Sequence, residues 1–314
     1  GGLFNRDTDR IYLEPFTLKE TEEFLDRRQI CLTRKDIAEC YMIMGGIPYY
    51  LDKIEKGMSF SQNIDNIFFK KRARLWDEFT HLYASLFDNP EPHLKIVKAL
   101  NTKRSGLTRA EISEATKIPP NGNLTRVLKE LEDSGFVLSF KDWTKTKKGN
   151  IYRLSDFYTI FYLDFVQENY GDDENFWTNR IDSSMHRAWT GFAFELLCMN
   201  HIPQIKAALG ISGVATRQFS WRGEDESGKR SQIDLLIDRR DGVIDLCEVK
   251  FASGLYAITK GYESELVDKI EVFRNATKTN KSIHLVMVTT FGLSANSHTS
   301  LVQNSITLDD LFLH

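Results

Sequence analysis

Several motifs that would assign a chemistry at sight are missing from these 314 residues. No G-x-x-x-x-G-K-[S/T] run occurs, so the chain has no loop of that kind to cradle phosphates and is not expected to hydrolyse ATP by itself. No G-x-S-x-G elbow is present for a serine hydrolase. The four cysteines, Cys31, Cys40, Cys198 and Cys247, make no C-x-x-C pair and no metal-ligand spacing, which argues against a disulfide framework and points to a reduced, cytoplasmic setting. His201, His284 and His298 match no zinc pattern either. No uncharged apolar run reaches the roughly 18 residues of a membrane span, and no signal peptide is visible. The chain opens Gly1-Gly2 without an initiator methionine and reads as either a tag remnant or an internal fragment.

What is present describes an ordinary folded protein. Apolar residues at 41% can fill sizeable cores, while 27% charged residues and a net charge of -3 imply no extreme electrostatic partner for the chain as a whole. The length fits two to three domains.

The stretch that concentrates chemistry is 232 to 250. Ile233 to Asp238 and Val243 to Phe251 are apolar and β-branched runs around Arg239-Arg240-Asp241-Gly242, which reads as a hairpin. A three-residue loop ending on Gly242 supplies the left-handed position such a turn needs. That register sets Asp234 opposite Glu248, with Lys250 on the same face. Two carboxylates facing each other across a strand pair repel unless a cation lies between them. A divalent metal, Mg²⁺ or Mn²⁺, would remove the conflict and lower the pKa of a bound water. Lys250 would steady the nucleophile or a developing oxyanion. The alternative is a hairpin carrying a solvated salt bridge.

Asp234, thirteen residues, then Glu248-Val249-Lys250 resembles the metal-dependent PD-(D/E)XK nuclease superfamily, the restriction-endonuclease-like fold. Ile233 stands where that motif has its naming proline. The resemblance extends to Trp189-Thr190-Gly191-Phe192-Ala193-Phe194-Glu195-Leu196-Leu197, which would supply the carboxylate of a preceding helix. It implies Glu195, Asp234, Glu248 and Lys250 as catalytic residues. It also implies Asp234, Glu248 and the Val249 carbonyl as metal ligands, with DNA as substrate.

Residues 91 to 155 carry thirteen Lys and Arg against seven Asp and Glu. Helix 92 to 100, a Thr108/Glu111 capping box, helix 123 to 134 with Leu124, Val127, Leu128 and Leu131 on one face, and two strands resemble a winged helix. Asn123 and Arg126 are its candidate groove contacts, and Lys141, Lys145, Lys147 and Lys148 would be wing contacts to phosphates. A wing serving only to pack one module on another is the alternative.

Residues 1 to 90 read as helical, with a short strand at 11 to 16, a Thr17/Glu20 capping box, helices 33 to 44 and 60 to 87, and a helix stop at Gly45-Gly46. Leu13-Glu14-Pro15-Phe16-Thr17 followed by Gly45-Gly46-Ile47-Pro48-Tyr49-Tyr50-Leu51 is similar to the region after the ATPase core of archaeal and bacterial AAA/STAND-type ATP-binding proteins. That implies ATP only through an upstream domain, whose nucleotide Arg6 would reach.

The expected fold class is therefore multidomain: an all-α lid-like region (1 to 90), a winged helix (91 to 155), a helical linker (156 to 185), and an α/β restriction-endonuclease-like domain with a mixed sheet (186 to 314). In that last part, 187 to 208 reads as one helix, 222 to 229 as a loop, and Lys260, Tyr262 and Lys269 as phosphate contacts on a crossover helix. Expected partners are DNA and the ATPase core; a homo-oligomer stays open, and no membrane is expected. An inactive nuclease fold serving as a DNA-binding or regulatory end is the competing function.

Overall fold

The structure, a computed structural model, describes residues 13–141, 150–169 and 171–313. Helices α1 (Leu18–Arg27), α2 (Arg34–Met44), α3 (Pro48–Leu51), α4 (Phe60–Ile64) and α5 (Glu78–Leu86) form the first part. The capping box anticipated for α1 is present: Glu20 N–H donates to Thr17 Oγ at 3.2 Å and Thr17 N–H to Glu20 Oε2 at 2.8 Å. Two expectations fail here. Leu13 to Phe16 form no strand, because Pro15 has no amide to donate and the Phe16 amide is already spent on Gly46 O at 2.7 Å. Ile11 and Tyr12 lie outside the described residues, as does Arg6.

The long helix 60 to 87 is also interrupted. After α4 the chain widens into a π-turn over Asp65–Phe69 and leaves helical geometry before α5. Asp65 supplies the reason. Its carboxylate is buried and accepts from Trp177 N–H at 2.8 Å, Thr178 N–H at 3.1 Å and Thr178 Oγ at 2.5 Å. A carboxylate satisfied by three donors outweighs the regular ladder of one turn.

The middle part runs α6 (Glu91–Asn101), β1 (Leu107–Thr108), α7 (Arg109–Thr116), α8 (Gly122–Asp133), β2 (Val137–Lys141) and β3 (Asn150–Leu154), with an antiparallel sheet in the order β1-β3-β2. Leu124, Val127, Leu128 and Leu131 are all buried along one stripe of α8, as their spacing requires. Helix α9 (Phe157–Phe161) continues through a second π-turn into α10 (Gln167–Asn169). Its aromatic residues are core: Phe161 meets Phe68, Trp177 and Trp189 at ring separations of 5.1, 5.1 and 5.6 Å.

The last part holds α11 (Ser184–Asn200), α12 (Ile202–Ala208), β4 (Thr216–Glu224), β5 (Arg230–Arg239), β6 (Val243–Lys250), α13 (Lys260–Thr277), β7 (Ser282–Thr289) and β8 (Asn304–Thr307). The expected single helix over 187 to 208 breaks at His201, two residues before Pro203, whose ring cannot continue the ladder. The expected loop at 222 to 229 is shorter, because β4 stays paired with β5 out to Glu224 opposite Arg230. The sheet is mixed, in the order β4-β5-β6-β7-β8, antiparallel through β6 and parallel beyond it. Helix α13 joins β6 to β7, a connection long enough for a parallel pair.

Two apolar layers hold this sheet. Leu235, Ile237, Cys247 and Val249 belong to a core that runs without interruption through α11 into the helices of the first and middle parts. Leu236, Ile244 and Leu246 on the opposite face pack with Leu266, Val272 and Phe273 of α13. Among the described residues no helix is long and apolar enough to cross a membrane.

Candidate active site at the β4–β5–β6 junction

The anticipated hairpin register is observed: Leu235, Leu236, Ile237 and Asp238 face Cys247, Leu246, Asp245 and Ile244. Gly242 adopts φ 89°, the left-handed turn position. The β5–β6 ladder ends at Leu235, however, one residue short of Asp234.

The reason lies on the other side of β5. Phe219 pairs with Leu236 but Trp221 with Ile233, so Ser220 alone opposes both Asp234 and Leu235. This is a β-bulge, the device that bends a strand and re-aims a side chain. Its effect is visible in the core: Ile233 and Leu236, three apart, share the α13 face, while Leu235 packs on the α11 side. Ser220 Oγ donates to Asp234 O at 2.8 Å and closes the irregularity. Asp234 is thereby left to border two openings, one shared with Glu195 and one with Lys269 of α13. Gln232 Nε2 donates to its Oδ1 at 2.7 Å.

Glu248 is buried, yet both carboxylate oxygens are satisfied: Lys269 Nζ donates to each at 2.8 Å. Lys250 Nζ is 3.5 Å from Glu248 Oε1 and 5.0 Å above the Tyr262 ring. Lys269 thus pairs with Glu248, and the Tyr262 ring lies beneath Lys250. Cys247 lies on the opposite face, buried and inert, its thiol pushed up by burial.

Glu195 projects from the half-buried flank of α11. Burial, reinforced by the negative charge of Asp234, pushes its carboxyl up to about 8, while Arg153 and Lys250 pull the other way. The charges of Asp234, Glu248 and Lys250 all act on Glu195; Glu195 and Asp234 border one opening, and Lys250 stands beside Glu248. Sequence reasoning missed the Ser220 bulge, the Gln232 contact and Arg153. The only signal for the last was a charged residue inside the apolar strand Ile151-Tyr152-Arg153-Leu154.

The donor chemistry fits a hard divalent cation. Asp234, Glu248 and the Val249 carbonyl offer the oxygen donors that such a cation takes. Among the described residues no three His, Cys, Asp or Glu side chains are gathered closely enough to hold a metal; at Glu248 an ammonium occupies both oxygens.

The expected DNA contacts divide. Asn123 and Arg126 are exposed on α8, where Arg126 donates to Glu130 at 2.6 Å and to Asn123 Oδ1 at 3.0 Å. Neither borders the opening that Glu195 and Asp234 share. Lys145, Lys147 and Lys148 lie outside the described residues, and of Lys141 only the strand position is described. His201 is structural: Leu18 N–H donates to its Nε2 at 3.1 Å, and its Nδ1 meets Leu197 O at 2.9 Å.

Comparison with known proteins adds a distant relative. The chain is similar to the uncharacterized protein MJECL04 of Methanocaldococcus jannaschii, 25% identical over 197 residues, which cover 62% of this chain and 43% of that protein. The match spans less than half of the relative's length. No family model matches the chain, and no solved structure matches it.

Proposed function

We propose that the last part of the chain is a PD-(D/E)XK, restriction-endonuclease-like module that hydrolyses DNA phosphodiesters with Mg²⁺ or Mn²⁺. The middle part is then a winged helix that contacts the DNA backbone. The first part is the lid-like region of an AAA-type ATP-binding protein. The observation that carries the reading is the convergence of Asp234, Glu248, Lys250 and Glu195, drawn from three elements, around a bulge that frees Asp234 from the ladder.

Asp234, Glu248 and the Val249 carbonyl would hold the cation. It would shield phosphate charge and acidify a water. Lys250 stands beside Glu248, where its ammonium orients the nucleophile or meets the negative charge that develops on the phosphoryl oxygens. Tyr262 under Lys250 limits where that ammonium can swing. Glu195 keeps its proton until positive charge arrives, and only then counters Lys250. Lys269 neutralises Glu248 in the meantime.

One observation favours a second reading, an inactive nuclease fold used for DNA binding: both oxygens of Glu248 are engaged by Lys269. Calorimetric titration of Mn²⁺ into the wild type and Asp234→Ala separates the two. Binding lost in the variant supports the nuclease; no binding to the wild type supports the inactive fold.

A further inference from the structure

A half-open cleft of about 270 Å³ lies where the middle part meets the sheet, bordered by Lys103, Arg104 and Arg153 from one side and Phe192, Glu195 and Asp234 from the other. Arg153 is the unusual member. It is only 5% exposed, its Nε has no hydrogen-bond partner among the described residues, and its Nη1 reaches nothing better than Met199 Sδ at 3.3 Å. A buried guanidinium left with an unused donor carries a penalty that a stable fold normally relieves by pairing. Glu195 and Asp234 act on Arg153 through space, yet neither pairs with it within salt-bridge distance.

The surrounding construction holds Arg153 in place. Phe192 is flanked by two guanidinium groups, Arg104 at 4.3 Å and Arg153 at 5.2 Å from its ring centre. Arg104 is fixed in turn by Asp164 and by Asn101 Oδ1 at 3.1 Å. The turn that brings Lys103 and Arg104 to the rim depends on Gly106, at φ 87°, where a Cβ would fall 2.6 Å from Tyr152 O. Such close approach is open to glycine alone. The cleft thus sets Arg104, Arg153 and Lys103, the last paired with Glu111 at 2.7 Å, against the carboxylates of Glu195 and Asp234, with room for a sugar and a phosphate between them.

We propose that this cleft is a binding pocket for one phosphorylated nucleotide, its phosphate held by Arg153 with Lys103 at the rim and its sugar turned toward Asp234. A phosphate suits the wall because a guanidinium binds it through paired donors and Arg153 has a donor to spare. The inference rests on the nuclease reading only for the claim that the nucleotide belongs to a DNA strand; binding of the phosphate needs no metal and no cutting. The middle part would then contribute a side chain to the site itself, setting where a strand end lies relative to Asp234.

The test is equilibrium binding in EDTA, by calorimetry, of inorganic phosphate, deoxyadenosine monophosphate and a 5′-phosphorylated trinucleotide to the full chain. Both nucleotide ligands should bind, and Arg153→Met should weaken them about tenfold or more, as loss of a charge-assisted pair does. Arg153→Lys, which keeps the charge but not the fork, should fall between. Hydrogen exchange on the unmutated chain guards against a misfolded variant: saturating nucleotide should slow exchange at 103–108 and 150–154. Preference for the trinucleotide assigns the pocket to a strand end, and preference for the monophosphate assigns it to a free nucleotide. Binding of inorganic phosphate alone, or of nucleotides with no protection at those segments, overturns the proposal. Failure of nicking with nucleotide binding intact would overturn the nuclease reading and leave the pocket standing.

Discussion

Lys269 of α13 and Glu248 of β6 form a two-pronged pair, one ammonium donating at 2.8 Å to each carboxylate oxygen. The pair spans the layer between helix and sheet at the position where the nuclease reading needs a cation. A buried carboxylate needs a partner, and Glu248 has Lys269 from the helix on both oxygens with Lys250 of its own strand at 3.5 Å. On the nuclease reading, the ammonium and a divalent metal would compete for the same oxygens.

Lys269→Met removes that ammonium and leaves the carboxylate with Lys250 alone. The variant should lose about 1–3 kcal/mol of stability in urea unfolding, and Mn²⁺ should restore part of the loss by linkage. An equal loss with and without Mn²⁺ would separate Glu248 from any metal role.

Glu195 makes stability depend on pH. Its folded-state pKa of about 8 lies above that of an unfolded glutamate, so the folded chain binds the extra proton between the two values. The contribution is complete below the unfolded pKa and is lost as pH rises through about 8. Melting temperature should therefore decline from pH 5 to pH 8.5, and Glu195→Gln should flatten the decline. An unchanged slope in the variant would assign the pH dependence elsewhere.

Asp65 ties the π-turn of the first part to residues 177 and 178 through three donors. Asp65→Ala should cost about 2–4 kcal/mol by leaving buried amide and hydroxyl groups unpaired. Asp88→Ala, at an exposed loop position, provides the control and should stay within about 0.5 kcal/mol of the wild type.

Arg126 lies exposed on α8 and is held by Glu130 and Asn123. If the middle part contacts DNA phosphates through this face, Arg126→Ala should weaken binding to all sequences alike and reduce the salt slope by about one. An unaltered slope with unaltered affinity would leave that helix a packing element.

Much of this arrangement was legible in the sequence because it follows from local rules. The Thr17 and Thr108 capping boxes, the apolar stripe of α8 and the turn at Gly242 each depend on residues a few positions apart. The hairpin register followed from Gly242 and so placed Glu248 and Lys250 correctly. Asp234 was harder, since its departure from the ladder depends on β4, where Ser220 opposes two residues. Lys269 and Arg153 were visible as charged positions, but Lys269 meets a carboxylate 21 residues away and Arg153 borders an opening shared with Asp234 of the other sheet. The break in 60 to 87 escaped for the same reason, because Asp65 is satisfied from residues 177 and 178.

The central claim is that Asp234 and Lys250 act in metal-dependent phosphodiester hydrolysis. The most direct measurement is nicking of supercoiled DNA by the chain in Mn²⁺ and in EDTA, beside Asp234→Asn and Lys250→Ala variants that retain the wild-type melting temperature and DNA affinity. Nicking by the wild type is expected in Mn²⁺ alone, reduced about a hundredfold or more in either variant, the scale on which loss of a charge-stabilising group acts. Undiminished nicking by folded Asp234→Asn and Lys250→Ala would contradict that claim.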